Sequence, residues 1–375
     1  MQRIIPRLTK ELEKHISDRE VWQVPAYRVA KYRELVEHTA RLSYANRNHL
    51  IFFRGQSTDF QSKAGGSTLY PAIYRGENLT LPELEFRLKV LDSACKELLR
   101  LSEEQRVEGW RDIAKKKYVQ WSMLQHYEVA ATPLIDVTHS LRVACSFAQL
   151  SNEGDFGYVY ALGLPYPTNR ISINSEEDIV NIRLLSICPP QALRPYFQEG
   201  YMAGTPDVTS NYDSKTELDF RNRLIAKFEI PTGGTFWGRS FSALPKTALY
   251  PARDKVRVLC DQIAARTDKH ELASGEIGNL IVEWARIEEE MKARARKITT
   301  RILPVRDAIE VLHRNGAISS STVQGLNAVR IVRNLAAHHP DRTDPSQIGK
   351  ALGQLRPLSK TLDSELRIWD HKNVP

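Results

Sequence analysis

Apolar positions follow a helical rhythm at both ends of this chain and a strand rhythm in between. Residues 1 to about 45 read as a helical arm, because Val29, Tyr32, Leu35, Val36 and Leu42 recur at helical spacing with charges between them. His49-Leu50-Ile51-Phe52-Phe53 is a continuous apolar run, which predicts a strand buried on both faces, and Arg54-Gly55-Gln56 ends it. After a Gly/Ser loop from Gln61 to Thr68, Thr80-Leu81-Pro82-Glu83 supplies a capping box and a first-turn proline. The helix it opens is lined by Leu84, Leu88, Leu91, Cys95 and Leu98. A second helix is predicted over roughly Trp110 to Tyr127, a strand over Pro133 to Thr138, and a short helix with Val143, Ala144 and Phe147 inward. Gly157 to Leu164 alternates like a strand, and Arg183 to Cys188 and Ile225 to Ile230 are further strand candidates.

The rhythm then changes for good. Residues 263–275, with the polar run Arg266 to Ser274, make the best linker. Beyond it Ile277, Leu280, Ile281, Trp284, Ile287, Met291, Ala295 and Ile298 form one long helical stripe. Glu288 with Lys292 and Glu290 with Arg294 add favourable i,i+4 pairs. Further helices follow at about 302–314, 320–338 and 345–366. The pattern therefore predicts four parts: an N-terminal arm (1–45), an α+β domain with a mixed sheet (46–262), a linker (263–275) and an all-helical domain (276–375).

Composition narrows the chemistry. Of 375 residues, 42% are hydrophobic and 26% charged, which is ordinary for a folded protein. No apolar run approaches the ~20 residues that span a bilayer. Met1-Gln2-Arg3-Ile4-Ile5-Pro6 has no apolar leader, so a cytoplasmic protein without membrane contact is expected. Cys95, Cys145, Cys188 and Cys260 are widely spaced, which points to buried small hydrophobes, not a metal or disulfide framework. A net charge of +8 favours a phosphate-bearing partner, either nucleic acid or a dinucleotide.

Two constellations carry candidate chemistry. The first is Phe52-Phe53-Arg54-Gly55-Gln56, then Leu69-Tyr70-Pro71-Ala72-Ile73-Tyr74-Arg75, then Leu124-Gln125-His126-Tyr127 with Thr132-Pro133-Leu134-Ile135-Asp136-Val137-Thr138, Ala144 and Phe147. Gln198-Glu199-Gly200 and Ala248-Leu249-Tyr250-Pro251 extend it. An arginine that ends a buried strand presents a planar fork suited to phosphate or carboxylate, and the glycine after it lets the backbone approach a ligand. The bland alternative is an Arg54–Asp136 ion pair fixing two strands, with His126 a satisfied core histidine.

Over about residues 45 to 262 these motifs resemble the FRG domain, a bacterial and phage family named for its Phe/Tyr-Arg-Gly signature. Their order is similar to the ADP-ribosyltransferase fold of the Arg-Ser-Glu class. That resemblance implies a toxin or phage-defence effector using NAD as co-substrate and no metal. It implies Arg54 on the NAD phosphates beside Gly55, Thr138 and Ser140 on the nicotinamide-ribose side, and Tyr127 stacked on a ring. Glu199, beside Gln198, is the nearest candidate for the catalytic glutamate, although it forms no clean Glu-x-Glu or Gln-x-Glu pair. The acceptor, protein or nucleic acid, is not specified.

The second constellation is Val332-Arg333-Asn334-Leu335-Ala336-Ala337-His338-His339-Pro340. With its helical surroundings it resembles the Arg-x4-6-His motif of HEPN domains, small bundles that often dimerise and in some branches cut RNA. The resemblance implies His338 as general acid or base, Arg333 stabilising phosphorane charge, and a homodimer through the C-terminal helices. Residues five apart on a helix are turned by ~140°, so Arg333 and His338 do not share a face. A structural reading, with Asn334 bracing the turn, stays open. The chain thus carries three candidate functions: an ADP-ribosyltransferase-like effector, a metal-independent HEPN-type ribonuclease with the FRG part as sensor, and a non-catalytic pair of interaction modules.

Overall fold

The structure is a computed structural model that describes residues 1–63, 65–76, 79, 81–206, 214–299, 303–338 and 344–373. It divides into two units, Met1–Thr267 and Asp268–Pro375. The first opens with α1 (Lys10–Ile16), β1 (Tyr27–Arg28), α2 (Tyr32–Ala45) and β2 (Leu50–Gln56). Then come α3 (Leu81–Glu104), α4 (Trp110–Lys115), α5 (Lys117–His126), β3 (Leu134–Thr138) and α6 (Leu141–Gln149). The rest is β4 (Phe156–Leu164), β5 (Ile171–Asn174), β6 (Ile179–Arg183), α7 (Leu184–Ile187), α8 (Arg194–Phe197), β7 (Gly200–Gly204), β8 (Leu224–Pro231) and α9 (Lys246–Leu249).

The strands form one sheet in the order β1-β8-β4-β2-β3-β7-β6-β5. Only β1 and β8 run parallel among the described strands, so the sheet is mixed and the unit is α+β. The apolar run at Ile51-Phe52-Phe53 is buried and central, as its lack of alternation predicts. Ile51 and Phe53 pack with Leu35 and Leu42 of α2 and Ala144 and Ala148 of α6. Phe52 faces the other way, with Leu69, Ile135, Val137 and Tyr160.

The pairing of the two central strands is incomplete. β2 follows β4 through seven residue pairs, and β3 follows β7 through five. Between β2 and β3 the ladder holds at Phe53–Thr138 alone. An unbroken ladder would go on to Arg54–Val137 and then set Gly55 against Asp136. The strands part instead, and a slit opens through the middle of the sheet.

Several expectations are corrected. Residues 1–45 are not a helical arm: α1 and α2 flank β1, which adds to the sheet edge, and Leu12, Val29, Leu35 and Leu42 belong to the core of the first unit. The helix predicted over Trp110 to Tyr127 is two helices, broken at Lys116, whose backbone is extended. Arg183 to Cys188 is not a strand. β6 ends at Arg183 and α7 occupies Leu184–Ile187. Strands β5, β6 and β7 are not among the expected ones, being short and, in β7, glycine-bounded. Thr80 of the capping box lies outside the described residues.

α10 runs without a break over Lys255–Ile298, so the polar segment 263–275 has helical backbone. Its early residues Val256, Leu259, Cys260 and Ile263 sit in the core of the first unit. In the second unit α10 is followed by α11 (Val305–Arg314), α12 (Ser320–His338) and α13 (Pro345–Asn373), and every described element of that unit is a helix. The predicted stripe is its core: Ile277, Leu280, Trp284, Ile287, Met291 and Ala295 are buried. The Glu288–Lys292 pair closes at 2.6 Å and Glu290–Arg294 at 3.8 Å. No helix among the described residues is long and apolar enough to cross a membrane.

Gly55 has a structural duty that the sequence reading assigned to ligand approach. A Cβ built there would lie 1.8 Å from the Ala144 carbonyl oxygen, so glycine is what lets α6 rest on β2. Gly55→Ala must push α6 off the sheet by displacing backbone. A loss at or above the upper end of the ~1–3 kcal/mol typical of overpacking is expected, read as a lower urea midpoint. An unchanged midpoint would mean that α6 yields freely.

Candidate functional site in the slit of the sheet

Arg54 stands in the slit. Its Nη1 donates to the Asp136 main-chain oxygen at 2.7 Å, the group that a continuing ladder would have left to Gly55. Arg54 has no ion pair with the Asp136 carboxylate, so the ion-pair alternative does not describe this contact. Its other N–H groups have no partner among the described residues, and it lines open space. Burial pulls its pKa down, Asp136 pushes it back up, and Arg75 adds to the lowering.

On the α6 side of the sheet lies a cavity of about 190 Å³. Phe53, Arg54 and Gly55 of β2, Asp136 and Thr138 of β3, and Val143, Ala144 and Phe147 of α6 line it. The far wall brings in Gln125, His126, Glu128, Arg194, Gln198 and Tyr250. Tyr250 meets Phe147 edge to face at 6.2 Å between centroids, and the Arg194 guanidinium lies 4.4 Å over the Tyr250 ring.

The Asp136 carboxylate receives His126 Nδ1 at 3.0 Å on one oxygen and the Gln125 amide at 3.1 Å on the other. Burial alone would raise its pKa. The hydrogen bond and charge of His126, the charge of Arg54 and the Gln125 bond outweigh it and hold the group at about 2. His126 is buried, and its Nε2 has no hydrogen-bond partner.

Arg194 is the residue the sequence did not disclose. It is 5% exposed; Nη2 donates to Glu128 Oε1 at 2.6 Å, while Nε and Nη1 are buried without partners. Orphaned buried donors cost about 1–3 kcal/mol each, a penalty that an acceptor atom in the cavity would remove. Its position follows from Asp254, which is buried and accepts from the Leu193 and Arg194 amides at 2.9 and 2.8 Å and from the Tyr127 hydroxyl at 2.7 Å. The other oxygen of Asp254 caps α10 through the amides of Val256 and Arg257 at 3.0 and 3.1 Å. Glu128 follows α5 with φ at 60°, an unusual turn for a side chain of its size.

The other expected site residues fall differently. Thr138 lines the cavity, but its hydroxyl donates to the Glu199 carbonyl at 3.1 Å and accepts from the Ser140 amide at 3.1 Å. Ser140 caps α6, accepting from Val143 N at 3.4 Å. Tyr127 is a core residue tied to Asp254, with its pKa raised by burial, and is not placed to stack on a ligand. Glu199 is exposed and contributes a carbonyl; its carboxylate does not line the cavity. Glu128 is the glutamate that does. In the second unit, Arg333 Nη1 donates to its neighbour Asn334 at 3.0 Å. The side chain of His338, and His339 and Pro340 entirely, lie outside the described residues.

All four cysteines are buried and unpaired. Among the described residues no group of His, Cys, Asp or Glu is arranged to hold a metal.

A buried-strand arginine and glycine at a parted sheet, backed by a small helix and a His-Asp contact, mark a candidate ligand site in an α+β domain. The chain carries an FRG domain: residues 49–155 match the model of that family. The match holds Arg54, Gly55, His126, Asp136 and Thr138 and stops before Arg194 and Tyr250, so it is shorter than the span 45 to 262 expected from the motifs. No curated protein and no solved structure matches the chain.

The depressed pKa of Asp136 has a pH consequence. A carboxyl at about 2 in the folded chain and ~3.9 unfolded adds stability that is complete above the unfolded value and disappears as pH falls toward 2. The difference in unfolding free energy between wild type and Asp136→Asn should hold steady from pH 7 to about 5, then narrow below about 4. Denaturant midpoints across that range test it; a difference that stays flat to pH 3 counts against the contacts assigned to Asp136.

Proposed function

We propose that the first unit binds NAD with its nicotinamide-ribose end in the small cavity and its phosphates on Arg54, and transfers ADP-ribose to an acceptor. A toxin or phage-defence effector is the role that fits such an activity. The observation that carries this reading is Arg54 itself: a strand-borne guanidinium in the slit, with most of its donors uncommitted beside the cavity. Such a fork suits a diphosphate in two-point contact.

The cavity, at about 190 Å³, has room for one end of a dinucleotide, not the whole. Phe147 and Tyr250 supply aromatic surface for a pyridine ring, and the unpartnered Nε and Nη1 of Arg194 supply donors for a carboxamide or ribose oxygen. In the reaction the bond from ribose C1′ to the pyridine nitrogen breaks and its electron pair leaves with nicotinamide. Positive charge grows on the ribose, and a nucleophile of the acceptor bonds to C1′ and gives up its proton. Glu128, held by Arg194, is the carboxylate in position to stabilise that charge, in place of Glu199. Asp136 keeps His126 oriented with Nε2 unpaired.

The test is incubation of the purified chain with labelled NAD, following binding, nicotinamide release and labelled product. Arg54→Ala should weaken NAD binding by about 10- to 100-fold, the worth of a charge-assisted hydrogen bond of ~1.5–3 kcal/mol. Arg54→Lys should recover only part of it, since the planar fork is lost. Glu128→Gln should lower turnover while binding stays near wild type. Absence of both NAD binding and NAD consumption by the wild-type chain would overturn the reading.

A further inference from the structure

The opposite face of the sheet carries a second and larger recess, which the cavity reading does not use. Side chains alternate along β2, so Phe52 and Gln56 point away from α6, while Arg54, standing in the slit, lines the recesses on both faces. There Arg54, Gln56 and Ile135 form part of a groove of about 1100 Å³. That is above the ~300–1,000 Å³ usual for a small-molecule pocket. Arg19, Arg54, Lys63, Arg75, Lys215 and Arg221 line it, and none of its described lining residues is acidic.

These cations are largely built in. Arg221 lies 4.2 Å over the Trp22 ring and is braced at 3.4 Å by Asp219, which is fully buried behind it. Lys215 lies 4.6 Å over the Tyr70 ring and donates to the Gly76 carbonyl. Arg75 Nε donates to the Tyr70 carbonyl at 3.3 Å, and Arg54 to that of Asp136. Among these charges stands Phe60, 57% exposed. Its neighbour Asp59 anchors it to the sheet, accepting from Tyr160 at 2.9 Å, Ser67 at 2.9 Å and Lys227 at 3.2 Å. A large apolar ring held in the open inside a cationic groove has no use for a bare polyanion. It does suit a ligand that alternates phosphates with flat bases.

We infer that this groove binds single-stranded nucleic acid, with its cations along the phosphates and Phe60 against a base. Base stacking on an aromatic ring tolerates any sequence, and the guanidinium of Arg221, already stacked on Trp22, offers a second flat surface. A duplex keeps its bases stacked inside and leaves Phe60 without a partner. The groove shares Arg54 with the cavity and no other lining residue, and the inference is tested without NAD.

The experiment is fluorescence anisotropy of the full chain with a labelled single-stranded dodecamer, the matching duplex, inorganic polyphosphate and ADP, over a range of salt. Phe60→Ala and Lys63→Glu change exposed side chains, and circular dichroism checks that both remain folded. Wild type should bind the single strand more tightly than the duplex, with affinity falling by about 0.7 log units per log unit of salt for each phosphate neutralised. Phe60→Ala should weaken that binding roughly tenfold. Lys63→Glu should flatten the salt dependence by about one phosphate contact. Four outcomes overturn the inference: no binding of the single strand at low salt; binding that both variants leave unchanged; polyphosphate bound as tightly as the single strand with Phe60→Ala neutral; or ADP as the only ligand bound.

Discussion

The structure of the first unit turns on a ladder that stops after one pair. β2 and β3 are neighbours in an eight-stranded sheet, yet they share only Phe53–Thr138 before parting. A carbonyl exposed by such a break needs a partner, and the Asp136 oxygen finds it in the Arg54 guanidinium. One side chain thereby stands in for a backbone hydrogen bond and keeps most of its donors for something else. The cavity on one face and the groove on the other both reach Arg54 because it occupies the gap between them.

Two carboxylates set the geometry around this gap. Asp254 ties the end of α5, the start of α8 and the first turn of α10 together, and so fixes where Arg194 lies. Asp136 fixes His126 and Gln125 along the other wall. Neither needs to touch a ligand to matter, since each orients the groups that line the cavity. The left-handed turn at Glu128 completes the arrangement by bringing a carboxylate to Arg194. Arg194 retains two buried donors without acceptors, a deficit that an oxygen atom in the cavity would make good.

Much of this was legible in the chain. The apolar run at Ile51 to Phe53 has no alternation because both faces of a central strand are covered. The stripe from Ile277 to Ala295 has helical period because one face of α10 is buried between those residues. Arg54, Gly55, Asp136, Ala144 and Phe147 were recognisable as neighbours by their order. Arg194 and Glu128 were not. Arg194 sits 66 residues from its partner, in a segment with no period to read, and Glu128 lies at a turn that residue preference would give to glycine. Thr138 and Tyr127 were overrated for the converse reason: a hydroxyl in a motif carries no sign of whether the backbone or a buried carboxylate has already claimed it.

The sequence alone determined the α+β first part, the all-helical second part and the arginine at the end of a buried strand, because burial writes its period directly into residue order. Only the tertiary structure decided that β2 and β3 separate, which glutamate lines the cavity, and that a second, cationic recess lies behind the same arginine. Those features depend on contacts between segments tens to hundreds of residues apart. Local pattern records whether a residue is covered. It does not record what covers it.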